Sequence, residues 1–362
     1  MTAVPELQDD RPTSAGTAAT PSRPARLGGP PALRSQVELY DENDQPIERT
    51  RPTTATAFAP AGVGNVAVGF DLLGHALEAV GDRVQVSRLD RPLVEIVDII
   101  GCEEPLPRDP ARNTATAGLL TLIEALDLPF GFAVTVEKAI PLGSGMGGSA
   151  ASAVGALVAA NALLEEPLTL DELLRFALVG ESVASGSPHA DNLAPCLFGG
   201  LTLVRGLEFP DVLQIPVPEE IRCVLVHPHL RLDTRDARAV LPRSISLELH
   251  VEQAGNLAGF IHGCFTNDLE LIRRSFHDLI AEPHRERLIP GFPEARKAAL
   301  EAGALGCSIS GAGPSVFAWC AGEPAAATVR EALTSAFTTA GITSDAWVSP
   351  VNAPGAYVVE RA

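Results

Sequence analysis

The chain has 362 residues, of which 46% are hydrophobic, and a formal net charge of −18. This length and composition predict one large globular domain or two smaller ones with an ample core. The negative charge argues against a nucleic-acid surface and against binding to anionic membranes, so a phosphate ligand must be held by local groups. No apolar run approaches the roughly 20 residues of a membrane span, and the first residues show no secretory pattern. Six scattered cysteines without a C-x-x-C pair indicate buried free thiols and predict a cytoplasmic location.

Residues 1–52 differ in composition from the rest of the chain. They are rich in proline, serine, threonine and alanine and show no sustained periodicity, which predicts a disordered N-terminal extension. Beyond them, alternating apolar residues predict strands at 54–58, 82–89, 93–100, 132–136, 221–226 and 315–319. Helical periodicity is found at 116–126, 170–184, 246–265, 269–280 and 293–302. Residues 193–204 are interpreted as a bend into a strand.

The most informative stretch is Pro141–Ser152, which reads PLGSGMGGSAAS. It follows the predicted strand 132–136 and precedes a run of small residues, an order that predicts strand, glycine loop and helix. Such a loop leaves unpaired N–H groups at the positive end of the helix dipole, where an oligophosphate binds well. The glycines also match the dinucleotide pattern G-x-G-x-x-G, but residues 137–142 separate them from the strand, and the lysine of a P-loop is absent.

Two further glycine-rich clusters occur, APAGVGNVAVGFD at Ala59–Asp71 and CSISGAGPSVFAW at Cys307–Trp319. Each is adjacent to a predicted strand, and each taken alone is explained by a turn. A polar cluster, SGSPHADN at Ser185–Asn192, lies beside an apolar segment. Three glycine clusters that are each joined to a strand favour one shared site over three unrelated turns.

These motifs resemble those of the GHMP small-molecule kinases. Pro141–Ser152 is similar to the second motif of that family, Ala59–Asp71 to the first and Ser308–Phe317 to the third. Within the family the resemblance is closest to the homoserine kinases, on the form of the first motif and on GSPHADNLAPCLFGG, TRDARAVLP and AEPHRERLIPGF. It covers about residues 54–350 in the right order.

The resemblance implies an α+β fold of two domains with the active site in the cleft between them. Residues 53–205 would form the ATP-binding domain, which is like domain 2 of ribosomal protein S5, and residues 206–362 an α/β-plait domain. The implied reaction transfers a phosphoryl group from ATP to the hydroxyl of L-homoserine, giving O-phospho-L-homoserine for threonine biosynthesis. A homodimer is implied as well.

The resemblance also assigns roles to single positions. The residues implied to bind ATP are Pro141, Leu142, Gly143, Ser144, Gly145, Met146, Gly147, Gly148, Ser149, Ala150 and Asn113. Those implied to line the amino-acid substrate are Asn65, Asp71, His189, Thr234, Arg238 and Arg285. Those that match the ligands of Mg²⁺ are Ser149 and Glu181, and the implied catalytic positions are Asn192, Thr234 and Arg238. From the sequence pattern alone, Asn113 is most simply a helix cap.

Elementary chemistry agrees with these assignments. Homoserine carries an ammonium group, which Asp71 can pair, and a carboxylate, which Arg238 and Arg285 can bind. Phosphoryl transfer requires positioning and charge neutralisation more than a strong base. Asn192 stands where some relatives have an aspartate, so we expect no dedicated general base. Thr234, His189 and the phosphate itself stay open as proton acceptors.

Two departures from the family pattern affect the second and first motifs. The usual G-L-G-S-S is Gly145-Met-Gly-Gly148-Ser149 here, so one hydroxyl of the serine pair is absent. If Ser149 holds the metal, Gly148 changes little; if the absent serine holds it, Mg²⁺ binding is affected. Ala61–Gly64 replaces a run usually rich in serine.

Two alternative functions stay open: another GHMP kinase, acting on a sugar or a mevalonate-type acid, and a non-catalytic ligand-binding paralogue.

Overall fold

The structure is a computed structural model that describes residues 52–102, 104–185, 189–206 and 211–362. The predicted N-terminal extension therefore lies outside the described residues up to residue 51. All elements that follow belong to one compact unit, Arg51–Ala362.

The described residues form eleven strands and ten α-helices. The strands are β1 (Thr54–Gly64), β2 (Leu73–Leu89), β3 (Val94–Ile100), β4 (Gly131–Glu137), β5 (Leu201–Arg205), β6 (Asp211–Ile215), β7 (Ile221–Pro228), β8 (Gly306–Ile309), β9 (Val316–Ala321), β10 (Ser344–Pro350) and β11 (Tyr357–Arg361). The helices are α1 (Thr114–Leu126), α2 (Gly148–Asn161), α3 (Leu170–Ser185), α4 (Ala190–Phe198), α5 (Thr234–Ala239), α6 (Leu247–Thr266), α7 (Leu269–Ser275), α8 (Glu282–Arg285), α9 (Phe292–Glu301) and α10 (Glu323–Thr339).

The first sheet has the strand order β11-β1-β2-β4-β3, with β5 beside the start of β2 and β6 beside β5. Its neighbouring strands are antiparallel except β3 and β4, which are parallel. β1 and β2 pair from Thr54 and Ser87 as far as Gly64 and Gly74. Because β1 continues to Gly64, the first half of the first glycine cluster is strand, and the turn begins only at Asn65.

Helix α2 packs directly on this sheet because its residues are small. Every residue from Ala150 to Ala160 is buried. A Cβ on Gly155 would lie 2.8 Å from Val84 Cγ2, so a side chain there would push α2 away from β2. Helices α1 and α3 pack against α2 and against each other. The helix that follows the central glycine loop therefore has a rigid support on several sides.

The second sheet has the order β10-β7-β9-β8 and is antiparallel throughout. Helices α9 and α10 pack against it and against each other. Their apolar side chains, among them Phe292, Leu333 and Phe337, are buried in a core with Val316 of β9. This sheet presents the third glycine cluster, which connects β8 to β9.

Aromatic residues connect the two sheets. Trp319 of β9 donates its indole N–H to Nε2 of His75 in β2 at 3.3 Å. The other ring nitrogen of His75 lies 2.9 Å from Ala76 O. Phe260 and Phe276 pack on the Trp319 ring, with centroid distances of 5.2 and 5.7 Å. Burial lowers the pKa of His75 to about 4, so the ring is neutral at pH 7 and accepts from Trp319.

Most predicted elements lie within an observed element of the same type or extend one residue beyond it, but the prediction for residues 193–204 is wrong in its first half. Residues up to Phe198 belong to α4, and the strand begins at Leu201. Gly199 and Gly200, with φ of 77° and 62°, make the turn between them. The pattern was misleading because Pro195, a residue that normally breaks helices, lies inside α4.

The helix predicted at 269–280 ends early, at Ser275. The side chain of Asp278 accepts N–H bonds from three of the residues that follow it, at 2.8 to 2.9 Å. An aspartate that bonds nearby backbone in this way competes with a continuing helix. The chain therefore turns here and starts the separate helix α8, which carries Arg285.

The division into domains 53–205 and 206–362 stays a prediction. Strands β6 and β11 follow residue 206 and yet pair within the first sheet, so that sheet receives strands from both segments.

The six cysteines all lie among the described residues and are free thiols; five are buried, and Cys102 is half-buried. None of the described helices has both the length and the apolar character that crossing a membrane would require.

Candidate active site

The three glycine-rich clusters meet at one place, as their shared pattern predicts. The N–H of Gly62 donates to Met146 O at 3.0 Å. The N–H of Gly311 donates to Gly64 O at 3.1 Å. The first cluster is thus bound to the second and to the third by bonds between backbone groups, and we call this place the glycine junction.

The second and third clusters are also bound to each other. Ser310 Oγ donates to Gly145 O at 2.8 Å, and the N–H of Ser315 donates to Ser144 O at 3.1 Å. A Cβ on Gly145 would lie 2.5 Å from Ser310 O, so only glycine permits this close approach. Gly145 therefore has a packing role that does not depend on any ligand.

The glycine loop of the second cluster, residues 141–147, connects β4 to α2. Gly143, Gly145 and Gly147 have φ of 63°, 74° and 69°, in the region that favours glycine. Gly147 is the N-cap residue of α2, and no described side chain caps the first turn. Uncapped N–H groups at the start of a buried helix form a site for an anion. The loop therefore has the local structure that its sequence predicts for a phosphate site.

Ser149 and Glu181 lie together at the first turn of α2. Ser149 Oγ donates to Glu181 Oε2 at 2.8 Å. Glu181 is 4% exposed, and burial raises the pKa of its carboxyl to about 7, with the Ser149 hydrogen bond opposing the rise. Hard oxygens beside a phosphate site are the ligands that Mg²⁺ prefers. A buried carboxylate gains from a nearby cation, so these two residues fit the ion.

Asp71 and Arg238 form an ion pair close to the glycine junction. Arg238 Nη2 donates to Asp71 Oδ1 at 2.7 Å and to His189 Nδ1 at 3.1 Å. Burial, and then the charge of Arg238, lower the pKa of His189, so the neutral ring accepts this bond. Among the described residues, His189 Nε2 and Arg238 Nε are the buried side-chain nitrogens without a partner. Opposite charges and unsatisfied donors at one place are suited to a ligand that carries both charges.

Asn65 and Arg285 both donate to the carbonyl oxygen of Gly311, at 2.9 and 2.8 Å. Asn65 Oδ1 in turn accepts the N–H of Asp71 at 3.0 Å. Arg285 Nε also donates to Ala237 O at 3.1 Å, and the residue is only 3% exposed. These bonds connect the third glycine cluster to the turn that carries Asp71 and to helix α5, which carries Arg238.

Phe70 lies within the first glycine-rich cluster, but the sequence assigns it no role in the site. Its ring centroid lies 5.3 Å from the guanidinium carbon of Arg285 and 5.7 Å from that of Arg238. The next residue, Asp71, has a φ of 57°, which is unusual for a residue other than glycine. Three other non-glycine residues in this turn share a positive φ: Asn65, Val66 and Ala67. The two arginines are distant in the chain, so the contact becomes visible only in the fold.

Asp191 is a second residue without an assigned role. It is 3% exposed, and burial raises its pKa to about 7, with the charge of Asp71 as the next cause. Its neighbour Asn192 donates from Nδ2 to Asp191 Oδ1 at 3.4 Å. A Cβ on Gly64 or Gly147 would lie 3.0 or 3.5 Å from Asn192 Oδ1. The amide of Asn192 thus lies between the first and second glycine clusters.

Asp71, His189 and Asp191 also form a group with ligand atoms within 4.8 Å of one another, a spacing that could suit a metal ion. Arg238 already donates to two of these three residues. Its guanidinium therefore supplies the positive charge at this position. Ser149 and Glu181, which lie beside the predicted phosphate site, remain the better candidates for a metal.

Thr234 and Arg238 are separated by one turn of α5, as predicted, and Thr234 is exposed at the start of that helix.

Asn113 caps α1 as its sequence position indicates. Its Oδ1 accepts from the N–H of Ala115 at 3.0 Å, and its Nδ2 donates to Pro107 O at 2.7 Å. Because both polar ends are bonded to backbone, contact of Asn113 with ATP stays a prediction.

Gly148, where the family pattern has serine, is the first residue of α2. A Cβ there would lie 3.2 Å from Ile140 Cγ2 and 3.5 Å from Lys138 Nζ. A serine would therefore be tight but tolerable after a small shift of Ile140. Ser149, and not residue 148, bonds Glu181. This geometry supports the alternative in which Ser149 holds the metal and Gly148 changes little.

Comparison with known proteins agrees with the fold. Residues 113–200 match the family model for the GHMP kinases N terminal domain, and residues 260–339 match that for the GHMP kinases C terminal domain. A homoserine kinase of Xylella fastidiosa (strain M12) is 51% identical over 315 residues, which are 86% of this chain and 97% of that protein. A homoserine kinase of Chlorobium phaeobacteroides (strain BS1) is 46% identical over 318 residues, 84% of this chain and 99% of that protein.

A solved structure gives the same result. The crystal structure of homoserine kinase from Cytophaga hutchinsonii has a TM-score of 0.84 and 44% identity, covering 86% of this chain and 99% of that one. The fold and the three glycine clusters define a small-molecule kinase of the GHMP type. Identity above 40% over most of the chain is more specific: the chain belongs to the homoserine kinase family.

Proposed function

We propose that this protein is an ATP:L-homoserine O-phosphotransferase that makes O-phospho-L-homoserine for threonine biosynthesis. The Asp71–Arg238 pair beside the glycine junction is the observation that carries the proposal. Asp71 receives the ammonium group of homoserine, and Arg238, together with Arg285, receives the carboxylate. Neither a sugar nor mevalonate carries both charges, so this pair favours an amino acid over the substrates of other GHMP kinases.

Binding of a zwitterion exchanges one internal ion pair for two pairs with the ligand. Asp71 and Arg238 thus stay neutralised both with and without substrate. A molecule with only one of the two charged groups would leave one protein charge without its partner, which costs binding energy. The unpartnered Arg238 Nε and His189 Nε2 supply further donors at the same place.

ATP binds with its phosphates at the glycine loop, where the first N–H groups of α2 are free of a side-chain cap. Ser149 and Glu181 hold Mg²⁺. When it is bound there, Mg²⁺ neutralises negative charge on the phosphates. Local groups are required because the net charge of −18 repels an anionic nucleotide.

The proton of the homoserine hydroxyl passes to the phosphate in this mechanism, not to a dedicated base. His189 accepts from Arg238 through Nδ1, so its neutral ring carries the proton on Nε2 and is a donor there. In this arrangement His189 therefore cannot accept the proton of the homoserine hydroxyl. Asn192, between the first two glycine clusters, has an amide that donates and does not take up a proton. Thr234, exposed one turn before Arg238, contributes a hydroxyl at the substrate side.

The function is tested by measuring ADP release from Mg-ATP with L-homoserine, L-threonine, mevalonate and galactose. We expect turnover with L-homoserine and O-phospho-L-homoserine as product by mass spectrometry. Turnover with mevalonate or galactose instead would indicate another GHMP kinase. Folded protein that binds nucleotide but phosphorylates none of the four would indicate the non-catalytic alternative.

The proposal also includes a homodimer in the cytoplasm. Support for the dimer is the family resemblance, and support for the location is that the six cysteines are free thiols. Light scattering after size-exclusion chromatography tests the oligomeric state.

A further inference from the structure

A buried ion pair lies at the base of the glycine loop. The side chains of Lys138 and Asp82 are 3% and 0% exposed. Lys138 Nζ donates to Asp82 Oδ2, to Gly148 O at 2.7 Å and to Ser152 Oγ at 2.9 Å. All three protons of the ammonium group therefore have acceptors.

Asp82 bonds the residues that enter the loop. Its Oδ1 accepts the N–H groups of Ala139 and Ile140 at 3.0 and 3.2 Å. Its Oδ2 accepts from Ser152 Oγ at 3.0 Å, in addition to Lys138. One carboxylate on β2 thus bonds both the segment before the loop and the second turn of the helix after it.

The pair therefore connects the two ends of the glycine loop. Ile140 directly precedes residues 141–147, and Gly148 directly follows them. The loop contains three glycines with positive φ, and glycine has more backbone freedom to lose than other residues. Ends held at a constant separation reduce the number of loop conformations before the ligand arrives, and a pre-organised site binds more tightly.

Stability alone does not explain a charged pair at this position. A buried ion pair is often no more stable than apolar side chains of similar volume, because both charges lose their hydration. An apolar pair, however, could not bond a backbone carbonyl, a hydroxyl and two backbone N–H groups at once. Lys138 and Asp82 hold the two ends of the loop in a defined position, which an apolar pair would not do.

We propose that Lys138 and Asp82 are positioning residues for the nucleotide phosphates, acting through the Gly148 carbonyl and the first turn of α2. The same turn carries Ser149, so the pair also places that hydroxyl opposite Glu181. The inference rests on the proposed function, because it takes ATP as the ligand of the loop.

The test uses the full chain with the double substitution Lys138→Met and Asp82→Asn. The amide introduced by Asp82→Asn retains an oxygen for the N–H groups of Ala139 and Ile140, and no buried charge is left unpaired. The Lys138 bond to the Gly148 carbonyl is lost, and that carbonyl keeps only the longer side-chain bond from Ser152 Oγ, at 3.2 Å. The control is Leu333→Ala, which weakens the core of the second sheet without touching the loop.

We expect the Kd for Mg-ADP, measured by calorimetry, and the KM for ATP to rise about tenfold in the double variant, which corresponds to about 1.4 kcal/mol. The KM for homoserine should stay within about twofold, since its site keeps its own bonds. Hydrogen exchange of residues 139–152 should become faster. Leu333→Ala should leave the Kd for Mg-ADP, both KM values and the exchange of residues 139–152 unchanged. An unchanged Kd with unchanged exchange, or an equal rise of both KM values, would overturn the inference.

The outcomes separate this inference from the proposed function. If wild-type protein binds Mg-ADP but shows no turnover, the proposed function is refuted. Calorimetry and hydrogen exchange then still test the positioning role of Lys138 and Asp82. Wild-type protein that binds no nucleotide refutes both. If the double variant does not fold, Ser152→Ala removes one partner of the pair and should raise the Kd for Mg-ADP about threefold. No rise in that variant would contradict the inference.

Discussion

Replacing Arg238 with alanine removes the cation that bonds Asp71 at 2.7 Å and His189 at 3.1 Å. The side chains of Arg238 and Asp71 are 36% and 41% exposed, so solvent screens the attraction between them. Such a pair contributes about 0–1 kcal/mol to stability. We therefore expect Arg238→Ala to fold, with a loss in the free energy of unfolding below about 1 kcal/mol.

The effect on substrate should be larger than the effect on stability. A hydrogen bond to a charged group contributes about 1.5–3 kcal/mol, and each 1.36 kcal/mol is a factor of ten. Loss of the contact with the homoserine carboxylate should then lower kcat/KM for homoserine about 10- to 150-fold. The KM for ATP should change by less than about twofold, because the glycine loop is bonded independently of Arg238.

The assay compares L-homoserine with 3-aminopropan-1-ol, which has the same hydroxyl and ammonium groups but no carboxylate. Wild-type protein should prefer homoserine strongly. In Arg238→Ala, the ratio of the two kcat/KM values should fall by the same factor as kcat/KM for homoserine. Arg108→Ala is the matched control, since Arg108 donates to Asp98 at 2.7 Å in an exposed ion pair outside the site. A variant that keeps the full preference for homoserine would refute a carboxylate contact by Arg238.

Further substitutions test the rest of the site and the contact between the sheets. Glu181→Gln should abolish Mg²⁺-dependent turnover with little change in circular dichroism, and unchanged turnover would exclude Glu181 as a metal ligand. Phe70→Leu should raise the KM for homoserine about threefold, because the ring no longer faces Arg238 and Arg285; an effect on ATP alone would count against this role. The pKa of His75 is lowered from 6.5 to about 4 by burial, so its stabilising contribution is complete above pH 6.5 and is lost as the pH falls through about 4. The loss amounts to about 3 kcal/mol, and denaturant titrations should show a smaller pH slope in His75→Asn.

Much of the fold follows from local patterns in the chain. The alternating residues of β4 and the small residues of α2 bracket the glycine loop, and the structure has strand, loop and helix in that order. Local signals were less reliable at Pro195, which lies inside a helix, and at Asp278, which caps a new turn and ends the predicted helix. In both cases a single residue acts against the average preference of its segment.

Without the family resemblance, the candidate site could be predicted only where the residues that form it are neighbours in the chain. The glycine loop, with Ser149 after it, is such a case, because loop geometry and helix dipole arise from residues that are adjacent in the chain. The Lys138–Asp82 pair is not, since its members are 56 positions apart and neither belongs to a glycine cluster.

Long-range packing determines which of the local elements become a site. Arg238 reaches Asp71 across 167 positions, and Asn65 reaches Gly311 across 246. The two sheets also contact each other through His75 and Trp319, which are 244 positions apart. Periodicity and turn preference describe a few neighbouring residues, whereas burial and charge pairing depend on which surfaces meet in three dimensions.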